Sequence, residues 1–309
     1  MKICPITYGK IEEGKYSTAG IKLLSKSLTT LNDLAYTKEE QIQEAAARAT
    51  KLSIQGVQPK LSAKLSIKNN CFEFVDRSGT FILKPQNFMF PQLPENEDLT
   101  MRLASDIELN VPMHGLIYSK DNSLTYFIKR FDRYAKNKKL AVEDFAQLAG
   151  KSRDTKYKYS MEKIVKLIDE FTTFPVIEKE KLFKLTLFNF LIGNEDMHLK
   201  NFSILSKDGI TQLSPHYDLL STTIAIKNAA EEIALPLNGK KSKITKELLV
   251  SYFGNEVLKL NSRIMSNSLE LIFSKKDSWQ KKIEISFLSN EMKEKYFSLL
   301  NERWNRIFS

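Results

Sequence analysis

Gly193-Asn194-Glu195-Asp196-Met197-His198-Leu199-Lys200-Asn201 is the densest polar cluster in an otherwise apolar part of this 309-residue chain. Just upstream, residues 180–192 (EKLFKLTLFNFLI) have the aromatic content and spacing of a buried helix face rather than a cofactor box. Just downstream, residues 202–213 (FSILSKDGITQL) read as a hairpin turning at Lys207-Asp208-Gly209. The cluster is therefore expected as a loop held between two rigid elements, a placement that active-site residues favour. Asp196 and Asn201 are separated by four residues. A carboxylate can take the proton of an attacking hydroxyl, and an amide oxygen five positions on can bind Mg2+. Taken alone, the spacing fits a polar turn capping a strand equally well.

Reading outward changes that balance. D-x-x-x-x-N is the spacing of the protein-kinase catalytic loop, and a second aspartate, Asp218 in SPHYDLL, stands just beyond the hairpin. A kinase places its other metal-binding aspartate there. Upstream, Lys84 ends the strand-like TFILKP, where its ammonium can meet nucleotide phosphates. The periodic helix after it, NEDLTMRLASDIEL, offers Glu97 to hold that lysine. Lys84, Glu97, Asp196, Asn201 and Asp218 thus occur in the kinase order of roles. The phosphate-covering loop departs from the pattern: Ser53-Ile54-Gln55-Gly56-Val57-Gln58-Pro59-Lys60-Leu61 has one glycine, not G-x-G-x-x-G or a P-loop. Backbone amides and Lys60 can still cradle phosphate oxygens, although alone the segment reads as an ordinary turn.

Secondary-structure signals agree with a β-rich half followed by an α-rich half. Thr37 with Glu40 three residues later starts a helix through TKEEQIQEAAARAT. KLSAKLSIK, CFEFVD and TFILKP read as an antiparallel meander, and GLIYSK with LTYFIKRF as a strand pair joined at residues 120–123. Helices are expected over VEDFAQLAG, SMEKIVKLIDEF and most of the chain from Ser242 on, with Trp279 and Trp304 as packing anchors. The boundary falls near residues 131–136, and no internal repeat is visible.

Composition excludes several classes. Apolar residues make up 42% and charged residues 27%, ordinary globular usage that argues against disorder. No apolar run approaches the ~18 residues of a membrane span. MKICPITYGKIEEGKY carries a proline and two glutamates where a signal peptide needs its apolar stretch, so a cytoplasmic protein is expected. Cys4 and Cys71 cannot form a disulfide scaffold or a four-cysteine zinc site, and three scattered histidines do not suggest a zinc enzyme. His198 reads as a residue that orients the loop by hydrogen bonding, and Glu195 as a loop-surface residue. The net charge is +10, but only nine of the 47 basic residues are arginine, which favours a solvated lysine surface over a nucleic-acid grip.

SIQGVQPKLS, FILKPQ, FPQLPENE, FIKRFDR, EDFAQLAG, GNEDMHLKNFSIL and LSPHYDLLST, in that order, resemble the HipA-type serine/threonine kinase toxins. The short N-terminus is most similar to the compact HipT members of hipBST modules. The resemblance covers about residues 50–235 and implies an α+β, two-lobed protein-kinase-like fold, with an N-lobe over 1–131 and a helical C-lobe over 132–309. It implies ATP and Mg2+ as cofactors. Lys84 would contact the α/β phosphates, Asp196 would be the catalytic base, and Asn201 and Asp218 the Mg2+ ligands. Gly56, Val57 and Lys60 would lie over the β/γ phosphates, the Lys129-Arg130-Phe131 backbone would bind adenine, and Asp132 would reach the ribose. Ser53 matches the family's autophosphorylation serine; Gln55 stands where some relatives carry a second one. A phosphate on Ser53 would be repelled by bound ATP, and so would hold the loop away from it.

The resemblance further implies the toxin of a toxin–antitoxin system that stops translation by phosphorylating an aminoacyl-tRNA synthetase. Its antitoxins would be HipB, a helix-turn-helix protein through which DNA is met indirectly, and HipS; no membrane partner is implied. A small-molecule phosphotransferase and a pseudokinase binding module or co-repressor are the competing readings.

Overall fold

The structure is a computed structural model that describes residues 2–48, 58–135, 138–226 and 230–309. It divides into two compact units. One comprises Met1–Leu99, Pro112–Asn137 and Ile285–Leu288, the other Thr100–Val111, Lys138–Glu284 and Ser289–Ser309.

The first unit is built on a five-stranded antiparallel sheet. Its spatial order is Cys71–Phe74, Leu61–Ser66, Phe81–Lys84, Leu124–Lys129, His114–Tyr118. Leu124–Lys129 is buried at every position but the last, as an interior strand covered on both faces must be. It pairs Lys129 with Phe81 and Tyr126 with Lys84, so Lys84 is delivered at the end of a strand flanked on both sides. Phe72, Phe81 and Phe127 meet edge-on or tilted, with centroids 5.0–6.2 Å apart. The N-terminal segment supplies Cys4, Ile6, Leu28, Leu31 and Leu34 to the same core. Helix Lys38–Arg48 opens on the expected capping box: Glu40 N–H donates to Thr37 Oγ1 at 3.2 Å and Thr37 N–H to Glu40 Oε2 at 2.8 Å. The turn at residues 120–123 places Asn122 at φ 60°, a conformation asparagine tolerates.

The second unit is organised around helix Pro175–Ile192. From Leu182 to Ile192 only Lys184 is not buried, so the aromatic run packs on all sides. Helix Asn290–Phe308 packs beside it. Trp279 stands edge-on to both Phe188 and Trp304, at 5.6 and 5.9 Å, so both tryptophans anchor this core.

One expected helix is different. Over VEDFAQLAG the chain first forms a strand, Ala141–Asp144, and only Phe145–Leu148 is helical. Asp144 caps that turn, with a reciprocal bond between its backbone N–H and the Gln147 side chain. The strand pairs antiparallel with Ser203–Lys207, which pairs in turn with Ile210–Leu213, making the expected hairpin a three-stranded sheet. The physical reason is a partner some 60 residues away in sequence: strand formation follows packing context more than local preference. Within the hairpin, Asp208 (φ 51°) and Gly209 (φ 80°) are both left-handed, as a two-residue hairpin turn that matches the strand twist requires.

Candidate active site

In the first unit the sheet and a helix bring Lys84 and Glu97 together. Lys84 Nζ lies 2.5 Å from Glu97 Oε1, with the two side chains 3% and 1% exposed. Helix Leu93–Asp106 carries Glu97 and starts with Pro94 in its first turn, where the missing N–H costs nothing. Lys84 also lies 5.6 Å from the centroid of the Tyr126 ring, on its paired strand. Around this pair the helix places Asp98, whose Oδ1 is 3.0 Å from His114 Nδ1, and Glu95, whose two oxygens accept from Gln86 Nε2 at 2.8 and 3.0 Å. Burial pushes the Glu95 carboxyl up to about 7, against the lowering effect of the Gln86 bond.

The hinge segment is more committed than its sequence suggests. Lys129 N–H donates to Met113 O at 2.8 Å and Arg130 N–H to Thr80 O at 2.9 Å, so neither amide is available to adenine in this arrangement. Asp132 is gripped by Arg130, through Nε at 3.0 Å and Nη2 at 2.8 Å, and by Arg133. Burial alone would raise its carboxyl; the guanidinium groups hold it below the usual range. A carboxylate offers about four acceptor directions, so a ribose hydroxyl can still be accommodated. Lys60 is half-buried immediately before strand Leu61–Ser66. Ser53, Gly56 and Val57 lie outside the described residues.

In the second unit the polar loop is held by its own backbone. Gly193 ends helix Pro175–Ile192 at φ 68°, and a Cβ there would come within 2.5 Å of Thr223 Oγ1 and 2.7 Å of Leu299 Cδ2. Both conformation and space require glycine. Asn194 Nδ2 donates to Asn189 Oδ1 at 3.0 Å, and Asn194 Oδ1 receives Asp196 N–H at 3.1 Å. Asn201 Nδ2 donates to the Asp196 carbonyl at 2.8 Å, tying the two ends of the D-x-x-x-x-N segment together. That bond engages the nitrogen of the Asn201 amide and leaves Oδ1 as the atom suited to a cation. Asp218 sits at φ 54°, left-handed although it is not glycine.

Glu195 departs from the expected surface position. It is half-buried and accepts from Thr223 Oγ1 at 2.6 Å, while its N–H donates to Thr222 Oγ1 at 2.7 Å, so it latches the loop to helix Thr222–Ala225. Burial raises its carboxyl above the ordinary range. His198 orients the loop as expected: Lys200 N–H approaches Nδ1 at 3.3 Å and Lys156 Nζ lies 2.7 Å from Nε2. Burial lowers this imidazole; the Asp196 carboxylate raises it and the Lys156 ammonium lowers it further.

Sequence reading missed Tyr157, whose hydroxyl donates to Asp196 Oδ1. It lies in KSRDTKYKYS, a lysine-rich connection with no periodicity to flag it. Among the described residues, no three or more His, Cys, Asp or Glu side chains gather as a metal cluster. Asn201 and Asp218 supply only hard oxygen donors. Such a set fits Mg2+, which keeps waters and substrate phosphates in its shell, better than it fits zinc.

Residues 52–279 match the family model for the HipA-like C-terminal domain. The chain belongs to that family. A Haemophilus influenzae protein carrying the provisional name of a kinase is 30% identical over 239 residues, covering 72% of this chain and 69% of its own. The serine/threonine-protein kinase toxin HipA of Shewanella oneidensis is 31% identical over 191 residues, 55% of this chain and 43% of the toxin, so the match spans less than half of that relative. Among solved structures, HipA in the Shewanella oneidensis HipA, HipB and operator DNA complex aligns over 96% of this chain and 80% of its own, with a TM-score of 0.69 and 22% identity. The HipA-like, kinase-type α+β fold is thereby the fold of this chain. Among the described residues no helix is long and apolar enough to cross a membrane.

Proposed function

We propose that the chain is an ATP- and Mg2+-dependent protein serine/threonine kinase, acting as the toxin of a toxin–antitoxin system. The observation that carries the reading is the closed Asp196–Asn201 segment, in which one amide both braces the base's backbone and keeps its oxygen for a cation. In this reading Asp196 accepts the proton of the acceptor hydroxyl as that oxygen bonds the γ-phosphorus and the bond to the ADP oxygen breaks. Lys84, held by Glu97, takes the α/β phosphates, and Lys60 with the Gly56 and Val57 amides takes the β/γ phosphates. The backbone around Phe131 faces adenine and Asp132 the ribose. Asn201 and Asp218 would hold Mg2+, which offsets charge on the transferring phosphoryl group when bound.

The family membership and the Shewanella toxin's name support the toxin role, and the Shewanella complex supports a HipB-type antitoxin through which DNA is met; an aminoacyl-tRNA synthetase as substrate and a HipS-type antitoxin extend the same proposal. The compact HipT-like form, the cytoplasmic location and autophosphorylation at Ser53 belong to the same proposal. Its test is transfer of labelled γ-phosphate to protein in the presence of Mg2+, together with growth on induction. Wild type should label an acceptor and itself and arrest growth. Asp196→Asn should lose transfer by roughly 100-fold or more and permit growth. Arrest that persists in Asp196→Asn would favour a binding module instead.

A further inference from the structure

Asp196 stands on its loop with 44% of its side chain accessible. A carboxylate so exposed rotates readily and presents either oxygen to an incoming hydroxyl, unless a neighbour distinguishes them. Such a neighbour is present. The Tyr157 hydroxyl donates to Oδ1, and His198 Nε2 lies 3.7 Å from the same oxygen. Among the described residues, Oδ2 receives no hydrogen bond.

Tyr157 is itself fixed. Its ring meets His198 edge-on, with centroids 5.0 Å apart at 84°. Lys156 Nζ lies 4.9 Å from the ring centroid and Lys241 Nζ 6.0 Å. Lys156 also reaches His198 Nε2, so the tyrosine, the lysine before it and the histidine of the loop form one connected group beside the base. Partial burial, and then the neighbouring Asp196 carboxylate, hold the phenol well above its ordinary range, so it is a donor at any physiological pH.

We propose that Tyr157 is a positioning residue: by occupying Oδ1 it turns Oδ2 of Asp196 toward the acceptor hydroxyl and makes that oxygen the proton acceptor. This rests on the kinase reading above. Tyr157 touches neither nucleotide nor acceptor in this role; it acts through the base. It should therefore influence the chemical step and leave nucleotide affinity alone.

Two measurements on the full chain test it. In the first, the NMR shift of the Tyr157 ring carbon that bears the hydroxyl is compared at one neutral pH in wild type and in Asp196→Asn. The shift should differ, because the hydroxyl loses its carboxylate acceptor; identical shifts would mean that the contact is absent and would overturn the proposal. In the second, Tyr157→Phe, which keeps the ring against His198 and removes only the hydroxyl, is compared with wild type in phosphoryl transfer. The expected result is a kcat lower by roughly 10- to 100-fold with KM for ATP and the melting temperature unchanged. Unchanged kcat overturns the positioning role alone, and increased kcat shows instead that the phenol obstructs the base. Wild type that transfers no phosphoryl group removes the kinase reading, and with it this role, even where the NMR contact is intact.

Discussion

The two groups that carry opposite charges in the proposed chemistry are held in opposite ways. Lys84 is sealed into the first unit, 3% exposed, its charge matched at 2.5 Å by an equally buried glutamate. Asp196 is displayed by the second unit on a loop, 44% exposed, its place set by backbone and amide bonds around it rather than by a counter-charge. A cation that must stay in one place for any nucleotide can be part of the core. A base that must meet a protein hydroxyl has to remain reachable. Stability and chemistry should consequently be joined at Lys84 and separable at Asp196.

The largest expected effect comes from breaking the buried pair. Lys84→Met leaves the buried Glu97 carboxyl without the ammonium beside it and should cost about 3–5 kcal/mol in denaturant unfolding, along with ATP binding. Lys84→Met combined with Glu97→Leu should recover most of that stability while ATP turnover stays lost. If the single variant unfolds like wild type, the pair is no part of the core's stability and the contrast fails.

In the displayed loop the comparable weak point is the backbone. Gly193→Ala forces a left-handed residue and a Cβ into the space of Thr223 and Leu299, and should lower stability by about 2–3 kcal/mol, together with activity. Asp196→Asn, four-tenths exposed, should change unfolding free energy by less than about 0.5 kcal/mol despite its effect on transfer.

Between these lies a pH effect confined to the buried side. Glu95 keeps its proton in the folded chain to about pH 7, whereas the unfolded chain releases it in the normal carboxylate range near 4.5. The folded form is therefore favoured below that range and loses this advantage as pH rises from about 4.5 through 7, by on the order of 2–3 kcal/mol. Glu95→Gln, which can still accept from Gln86, should flatten that slope. A wild-type stability curve that rises across the same interval would contradict the buried, protonated carboxyl.

What could be read from residues alone follows the same divide. Lys84 at a strand end, Glu97 in the helix after it, and the Asp196–Asn201 spacing were legible because each is a local pattern: alternation, helical period, fixed separation in a loop. Strand Ala141–Asp144 was not, because its four residues run straight into a capped helical turn and their partner is Ser203–Lys207. Glu195 looked like a surface residue because adjacency in sequence does not reveal Thr222 and Thr223 behind it. Tyr157 and the arginines gripping Asp132 escaped for the same reason. Each is a tertiary meeting of side chains from segments that have no period of their own.

Asp218 is a place where an engineer optimising the protein for heat would go wrong. Its left-handed backbone at φ 54° is a site where glycine relaxes the chain, by up to ~1 kcal/mol. A screen that ranks substitutions by backbone conformation alone would favour Asp218→Gly. That variant would also lose the interactions of the Asp218 side chain and, in the proposed function, one of the two oxygen donors for Mg2+. In that reading backbone relaxation and turnover oppose each other at this single residue, and ranking substitutions there by backbone conformation alone selects against activity.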